Sequence, residues 1–272
     1  MMVNIEIICI GNEILIGKIQ NTNAQWLATK VTQIGANVNR ITVIQDNIQE
    51  IASAINEAKA RKPEFIITTG GLGPTFDDMT LQGIGAALNR PLEVNSEALE
   101  IVKQRTIQYL KKRGLPTDIE MTPPRVKMAR FPKDTTPVTN PIGTAPALRA
   151  DMNGTMLFVL PGVPLEMESI FNETISPLIV EMVGQNVFCQ NSLFVKDVFE
   201  SRLAPLIDIV MKNNEGVYIK SHPIRSENKP HLELHLTICS DQKNKPSDKL
   251  IKASKEIADL IERSGGRVVV EP

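Results

Sequence analysis

Residues 68–78, Thr-Thr-Gly-Gly-Leu-Gly-Pro-Thr-Phe-Asp-Asp, form a glycine-rich turn between two patterned stretches. The apolar residues 65–67 before it are typical of a short buried strand, and residues 79–89 after it repeat apolar side chains at helical spacing. Glycine permits positive φ and lets a ligand approach the backbone closely. A strand, a glycine turn and a helix start in this order favour phosphate binding, because unpaired N–H groups and the helix dipole attract anions.

Two adjacent carboxylates, Asp77 and Asp78, close this turn and would repel the same phosphate. A divalent cation between the carboxylates and the phosphate removes the conflict, so the turn predicts metal-assisted phosphate chemistry. The structural alternative is that these residues only cap the following helix, since Thr75 and Asp78 resemble a capping box. Capping accounts for one carboxylate better than for two, and we therefore favour the metal.

Strand and helix patterns alternate through the first part of the chain. Strands are predicted at 3–10, 38–44 and 65–69, and helices at 24–34, 48–58, 79–89 and 95–113. This rhythm implies right-handed βαβ crossovers and an open parallel sheet, in which ligands bind beyond the carboxyl ends of the strands. The acidic residues that follow these strands would converge there: Glu13, Asp46, Asp77 and Asp78.

Residues 117–146 are dotted with prolines and predict a long loop of the kind that is usually functional or mobile. Residues 147–151 and 155–160 flank an Asn-Gly pair, which indicates a hairpin. A Pro-Gly-Val-Pro turn at 161–164 then precedes a helix predicted at 165–183. A second strand, turn and helix start therefore follow one another here.

The pattern changes after Gly184. Strands are predicted at 191–196, 216–221, 231–239 and 267–270, with helices at 201–213 and 247–263. This βαββαβ order predicts a small α+β domain of the ferredoxin-like type. We therefore expect two domains, residues 1–185 and residues 186–272.

The strand at 231–239 places His231, Glu233 and His235 on one face, a spacing that metal ligands can have. Leucines occupy the alternate positions on the opposite face. Because an antiparallel strand with one buried and one solvated face shows the same alternation, we favour the reading without a metal.

Composition disfavours several classes of function. The net charge of the 272 residues is -1, which gives no electrostatic basis for binding nucleic acid or an anionic membrane. No apolar run approaches the roughly 18 residues of a membrane span, and the first ten residues lack the pattern of a signal peptide. Cys9, Cys189 and Cys239 are widely separated and fit a reducing compartment, so a cytoplasmic location is expected.

Five motifs occur in order along the chain: Gly11-Asn12-Glu13, Asn21-Thr22-Asn23-Ala24, residues 69–78, residues 140–146 and residues 160–167. Together they resemble the CinA family and, more distantly, the molybdopterin-binding superfamily that includes MoaB, MogA and MoeA. The resemblance implies a three-layer α/β/α, MogA-like first domain with a mostly parallel sheet. It also implies a homodimer and, as in characterised relatives, a divalent-metal-dependent pyrophosphatase acting on ADP-ribose or FAD.

Two departures from the family pattern matter. Many members have Asp where this chain has Asn12, so position 12 is not expected to bind metal. Full-length bacterial relatives carry a further domain that deamidates nicotinamide mononucleotide, and the 272 residues leave no room for it, so we do not expect that activity.

The resemblance assigns the acidic motif positions to Asp46 and Asp78, with Asp77 in the paired motif. We expect Asp78, with Asp77 or Glu13, to bind Mg²⁺, Mn²⁺ or Co²⁺, and Asp46 to act as general base or second ligand. The predicted substrate contacts are Gly70, Gly71, Gly73, Thr75, Asn23, Asn140, Gly143, Thr144, Gly162, Glu166 and Lys127.

Three functions remain open from the residues alone. The first is hydrolysis of a nucleotide pyrophosphate. The second is a protein that binds a nucleotide or pterin phosphate without turning it over, since the same residues serve binding. The third is an interaction protein whose small domain docks a partner or forms a dimer. Glu166 either orients a ligand or only favours its helix N-terminus.

Overall fold

The computed structural model describes residues 2–224 and 231–269. Within them, the chain divides into two compact units, one made of residues 2–32 and 36–182 and the other of residues 33–35 and 183–269. The first unit contains a six-stranded and a two-stranded sheet, and the second contains a four-stranded sheet.

The first unit is built on a mostly parallel sheet. Its strands are β1 (Asn4–Ile10), β2 (Asn37–Ile44), β3 (Phe65–Thr69), β4 (Leu92–Val94), β5 (Arg130–Pro132), β6 (Thr136–Val138), β7 (Ala147–Asp151) and β8 (Met156–Leu160). The six-stranded sheet has the order β2-β1-β3-β8-β7-β6. The first four of these strands are parallel, and β7 and β6 continue the sheet antiparallel. Strands β4 and β5 pair separately.

Helices connect these strands. They are α1 (Asn12–Leu15), α2 (Thr22–Gln33), α3 (Ile48–Ala60), α4 (Thr80–Leu88), α5 (Ser96–Lys112), α6 (Pro123–Lys127), α7 (Pro164–Ile170) and α8 (Ser176–Val183), with a π-helical turn at Phe171–Ile175. Ile8 and Ile10 of β1 pack in one core cluster with Ile51 and Ile55 of α3. The intervening residues of β1 are also buried, so the sheet is covered on both faces. The predicted three-layer α/β/α domain is confirmed.

Several local predictions in this unit are wrong. Residues 123–138, expected as loop, contain α6, β5 and β6, which have only three to five residues each and show no readable period. Helix α1 was not expected at all. The helix predicted at 165–183 begins at Pro164 and is interrupted by the π-helical turn.

The second unit has the predicted βαββαβ order. Its elements are β9 (Asn186–Lys196), α9 (Glu200–Asn213), β10 (Val217–Pro223), β11 (His231–Asp241), a 3₁₀ turn (Gln242–Asn244), α10 (Pro246–Arg263) and β12 (Arg267–Val269). The antiparallel sheet has the order β10-β11-β9-β12, as in a ferredoxin-like domain. Strand β9 begins five residues before the predicted start, because it pairs with β11 along its whole length. Position 270 of the predicted last strand lies outside the described residues.

The two faces of β11 differ in burial. Leu232, Leu234 and Leu236 are buried in the core of the second unit, while Glu233 accepts a hydrogen bond from Ser192 Oγ at 2.6 Å. In the described part of the chain, no three His, Cys, Asp or Glu side chains are grouped so that they could hold a metal ion. The leucines of this strand thus face the core, and the residues between them are half-buried.

One charged residue lies inside the apolar run of β1. Glu6 is 2% exposed, and its two carboxylate oxygens each accept a hydrogen bond of 2.7 Å from the guanidinium of Arg61, at the end of α3. A bidentate pair of this kind compensates the buried carboxylate for its lost hydration. Glu6 therefore depends on Arg61 to offset the charge of its buried carboxylate.

We expect Arg61→Met to lower the free energy of unfolding by about 3 kcal/mol or more, because it leaves the Glu6 carboxylate buried and unpaired. The double variant Glu6→Met/Arg61→Met should recover most of that loss, since it removes the buried charge as well. Urea denaturation of the two variants and the wild type measures both values. A double variant as unstable as the single one would contradict this account of Glu6.

Candidate functional site

A pocket of about 450 Å³ opens at the carboxyl edge of the parallel sheet, where β1, β2, β3 and β8 end. Its wall comes from the segment after β1, from Asp46 after β2, from the glycine-rich turn after β3 and from the turn after β8. This is the edge at which open parallel sheets bind ligands, because all the connections that follow the strands meet there.

The pocket is strongly acidic. Its lining includes five carboxylates: Glu13, Asp46, Asp77, Asp78 and Glu166. No Lys, Arg or His is among the described residues that line it. The four acidic residues expected to converge from separate connections thus lie around one cavity, together with a fifth from the start of α7.

Close backbone packing fixes the glycine-rich turn. Gly70 and Gly71 have φ values of +113° and +67°, which favour glycine. A Cβ on Gly70 would overlap the carbonyl oxygen of Ile10, and a Cβ on Gly71 would overlap the hydroxyl of Thr80. That hydroxyl donates to the carbonyl of Gly70 at 2.8 Å. The N–H groups of Gly71, Leu72 and Gly73 donate to no described residue, so they are available to a ligand.

The residues after the glycines form a turn rather than a helix cap. The Thr75 N–H donates to Asp78 Oδ2 at 2.8 Å, as in a capping box, but α4 begins only at Thr80. Its N-cap residue is Met79, which makes no side-chain capping bond. The capping interpretation of Asp77 and Asp78 is therefore wrong, because neither carboxylate caps α4. The expected phosphate donor at Thr75 is also occupied by Asp78.

Both aspartates converge on a single hydroxyl. Thr75 Oγ1 lies 2.5 Å from Asp77 Oδ1 and 2.6 Å from Asp78 Oδ2. A hydroxyl donates only one proton, so it satisfies one of the two carboxylates at a time. The hydrogen bond from Thr75 lowers the pKa of Asp77, which is thus held as an anion. The site concentrates negative charge that its described lining residues do not neutralise.

Asp46 has a different electrostatic environment from Asp77. Burial raises the pKa of Asp46, and the neighbouring carboxylates of Glu13, Asp77 and Asp78 raise it further. A hydrogen bond of 2.9 Å from the Asn12 N–H acts in the opposite direction. A carboxylate with a raised pKa is a better proton acceptor than an ordinary one.

The turn after β8 packs directly on the glycine-rich turn. Thr69 Oγ1 donates to the Pro161 carbonyl at 2.8 Å, and a Cβ on Gly162 would lie 3.3 Å from the Cα of Gly70. Asn23 Nδ2 joins the two turns by donating to Thr69 Oγ1 and to the carbonyl of Gly162. The Asn23 side chain thus links the turn after β3 to the turn after β8.

A third loop, residues 140–146, is held by buried hydrogen bonds. Asn140 is fully buried; its Oδ1 accepts from the N–H of Gly143 at 2.7 Å, and its Nδ2 donates to Glu166 Oε2 at 2.6 Å. A Cβ on Gly143 would collide with the Glu166 carboxylate. Arg105 of α5 donates to the carbonyls of Pro141 and Gly143 from the other side.

The structure separates the predicted site residues into three groups. The residues that line the pocket are Glu13, Asn23, Asp46, Gly70, Gly71, Gly73, Thr75, Asp77, Asp78, Thr144, Gly162 and Glu166. Asn140 and Gly143 support the pocket wall without lining it. Lys127 lies on the other side of the glycine-rich turn, and its ammonium donates to the Thr75 carbonyl.

Sequence reasoning missed the residues that hold the loops in place. Arg105, Thr69 and Thr80 bind backbone carbonyls of the pocket loops through their side chains. Arg105 lies on an ordinary amphipathic helix, and nothing in its neighbourhood marks it. Thr69 lies within the glycine-rich turn and Thr80 two residues after it, so a search for hydroxyls in and beside the turn could have found them.

Comparison with known proteins gives consistent matches. Residues 6–181 match the MoCF_biosynth family, described as a probable molybdopterin binding domain. A protein of Aeropyrum pernix is 38% identical over 266 residues, covering 97% of this chain and 96% of its own length. A protein of Pyrobaculum calidifontis is 40% identical over 256 residues, with 94% of both chains covered. The crystal structure of the protein CinA with unknown function from Thermoplasma acidophilum is 36% identical and has a TM-score of 0.57, covering 65% of this chain and 98% of that chain.

We expect Asp46→Asn to stabilise the metal-free protein at neutral pH, by about 1–3 °C in Tm. Asn still accepts the bond from the Asn12 N–H but carries no charge. Because the folded-state pKa of Asp46 is raised, the ionised carboxylate costs stability above that pKa, and the cost disappears when acidification protonates the group.

Thermal denaturation in EDTA from neutral pH down to about pH 4 checks this, since an ordinary Asp has a pKa near 3.9. The advantage of the amide should be largest at neutral pH and shrink as the pH falls. An Asp46→Asn variant that is less stable than the wild type at neutral pH would contradict the assigned environment of Asp46.

Proposed function

The chain belongs to the MoCF_biosynth family, and within it to the CinA family, and on that basis we propose that its first unit is a divalent-metal-dependent nucleotide pyrophosphatase. The ligand binds in the pocket at the carboxyl edge of the sheet. Its two phosphates lie over the glycine-rich turn, and hydrolysis cleaves the P–O–P linkage between them.

One observation carries this proposal: the same pocket holds free backbone N–H groups for phosphate and five carboxylates, with no cation among its described lining residues. The N–H groups of Gly71 to Gly73 favour an anion, while Asp77 and Asp78 repel it. A divalent cation held by the carboxylates would offset their charge and let a phosphate approach the N–H groups. Acidic residues without such a cation would only weaken phosphate binding.

The donor set fits a hard divalent cation. Mg²⁺ prefers oxygen ligands and usually takes one or two protein carboxylates, with substrate phosphates and waters completing its shell. Such a site needs no preformed group of three protein ligands, and the described residues contain none. Asp78, with Asp77 or Glu13, would hold the ion. The convergence of Asp77 and Asp78 on the single proton of Thr75 supports this role.

Hydrolysis adds one water molecule across the P–O–P linkage. A new P–O bond forms at one phosphorus, the bridging P–O bond breaks, and two phosphate monoesters result. Asp46, whose pKa is raised by burial, accepts the proton of the attacking water. The N–H groups of the glycine-rich turn stabilise charge on the phosphate oxygens. When bound, the divalent ion supplies additional charge neutralisation and acidifies the water.

We propose ADP-ribose or FAD as the substrate class, following the resemblance to the CinA family. The pocket volume of about 450 Å³ lies in the range of small-molecule sites. We further propose a cytoplasmic location, since Cys9, Cys189 and Cys239 are free thiols, and a homo-oligomer, following the resemblance to the CinA family. Among the described residues, no helix is long and apolar enough to cross a bilayer.

The same contacts also support a second function, binding of a nucleotide or pterin phosphate without turnover. The Thr75 hydroxyl lies against both Asp77 and Asp78, so contacts within the turn itself order these carboxylates. Carboxylates held in this way could anchor a metal–phosphate complex and leave it intact. The two functions share every contact and differ only in whether the P–O–P linkage is broken.

Turnover of ADP-ribose and FAD with Mg²⁺, Mn²⁺ or Co²⁺ tests the proposal. The wild type should produce mononucleotides only with a divalent ion, and Asp78→Asn should lower kcat/KM by about 10²-fold or more, because it removes an ion ligand. Asp134→Asn is the matched control, since Asp134 is an exposed aspartate that lines no part of the pocket. It should behave as the wild type.

Calorimetry on the same proteins separates the two functions. Metal-dependent binding that Asp78→Asn abolishes, without cleavage of either compound by the wild type, would establish binding without turnover. Cleavage that persists unchanged in Asp78→Asn would overturn the assignment of the site itself.

A further inference from the structure

Strand β9 of the second unit has a free edge over part of its length. On one side it pairs with β11 throughout, but on the other side β12 pairs only with Phe194 to Lys196. No described strand lies beside residues 187–193 on that second side. Because a strand residue directs its N–H and its C=O to the same side, every second residue of this stretch turns both groups away from β11. The family match ends at residue 181 and does not cover this edge.

The free stretch of β9 lacks the features that normally protect an edge strand. Edge strands usually carry charged residues or proline, or are very short. Residues 187–193 read Val-Phe-Cys-Gln-Asn-Ser-Leu, without a charge, a proline or a glycine. The strands at the ends of the two larger sheets each have such a residue: Arg40 in β2, Pro137 in β6, Lys220 in β10 and Arg267 in β12. The contrast indicates an edge that pairs with a further strand.

A groove of about 470 Å³ lies along this edge, between β9 and α10. Its described lining residues are Cys189, Gln190 and Asn191 of β9 and Ser247, Leu250 and Ile251 of α10. No Lys, Arg, His, Asp or Glu is among them. The side chain of Ile251 is 53% exposed at the outer wall. The groove therefore suits an apolar side chain, because a charged one would lose hydration there without gaining a partner.

Hydrogen bonds hold the two walls of the groove together. Cys189 Sγ lies 3.3 Å from Ser247 Oγ, and Asn191 Nδ2 donates to Ser254 Oγ at 3.0 Å. These bonds fix the separation of strand and helix along the free edge. An added strand thus meets a preformed site, which lowers the ordering cost of binding.

Strand β12 shows which kind of occupant fits this edge. It runs antiparallel to β9, and α10 packs on both strands. A second copy that paired through the same edge would bring its own α10 to the same face. Neighbouring strands lie about 4.8 Å apart, whereas packed helices need about 8–10 Å between their axes, so the two helices would collide. An extended peptide brings no helix and avoids this collision.

We propose that the free edge of β9 binds an extended peptide of another protein by β-strand addition, antiparallel to β9. The outward N–H and C=O groups of residues 187–193 supply the backbone hydrogen bonds. An apolar side chain of the peptide packs against Leu250 and Ile251 in the groove. This site lies in the second unit and does not depend on the function proposed for the first unit.

Peptide binding to the full chain tests this assignment. The probe is an acetylated and amidated peptide of alternating Val and Thr with a Lys at each end. The same peptide with its central amides N-methylated is the control for strand addition, because it has lost the backbone donors. Ile251→Lys puts a charge into the groove. Ile209→Lys is the matched control variant, at an isoleucine of α9 that is 47% exposed and lines no part of the groove.

Fluorescence anisotropy should show equal affinity for the probe in the wild type and in Ile209→Lys. Ile251→Lys should bind it about tenfold more weakly, since an apolar contact is replaced by a buried charge. The probe should also slow hydrogen exchange of amides within residues 187–193, and the methylated peptide should not bind. Far-UV circular dichroism checks that both variants fold.

Three results would overturn the proposal: a wild type that does not bind the probe, binding that survives N-methylation, or exchange within residues 187–193 that the probe leaves unchanged. Light scattering tests the second copy as occupant, and the wild type and Ile251→Lys should have the same mass. A wild-type oligomer that Ile251→Lys dissociates and Ile209→Lys retains would assign the edge to a second copy and overturn the peptide.

Discussion

The contact between the ends of β1, β3 and β8 is the constraint on which the site depends. The backbone of Gly70 lies against the Ile10 carbonyl, and Gly162 lies against Gly70, at distances that leave little or no room for a Cβ. Side-chain hydroxyls of Thr69 and Thr80 complete this contact by binding neighbouring carbonyls. Because three strand ends meet without intervening side chains, the loops that follow them surround one cavity, and the acidic residues on those loops share it.

The first unit contains buried or partly buried acidic residues of two kinds: those whose charge is paired with a cation and those whose charge is not. Glu6 is buried in the sheet and has a bidentate arginine partner, so its charge is compensated within the fold. The pocket carboxylates have no lining cation among the described residues, and burial and mutual repulsion raise the pKa of Asp46. Uncompensated charge costs stability and is commonly tolerated at sites that bind a ligand. The contrast supports a ligand-binding reading of the pocket.

The sequence was informative where periodicity or motif order is strong, and misleading where local patterns have two structural solutions. Apolar runs located β1 and β3 to within a residue, and the strand–helix rhythm predicted that Glu13, Asp46 and Asp78 would share one edge. The Thr-x-x-Asp pattern also fits a closed turn without a helix, which is what forms at 75–78. Loop restraints such as Arg105 depend on contacts between distant segments, which no local pattern records.

The segment that contains α6 and β5 shows no readable period in the sequence. It also forms the wall of a pocket on the other side of the glycine-rich turn. Proline at the first position of α6 fixes the backbone angle there and lowers the entropy lost on ordering so short a helix. That order brings Val126 and Lys127 against the turn, where they form an apolar and cationic wall opposite the carboxylates. The two sides of the turn thus differ in charge. A fixed lysine on one side of the turn and carboxylates on the other give a ligand at the turn two unlike surroundings.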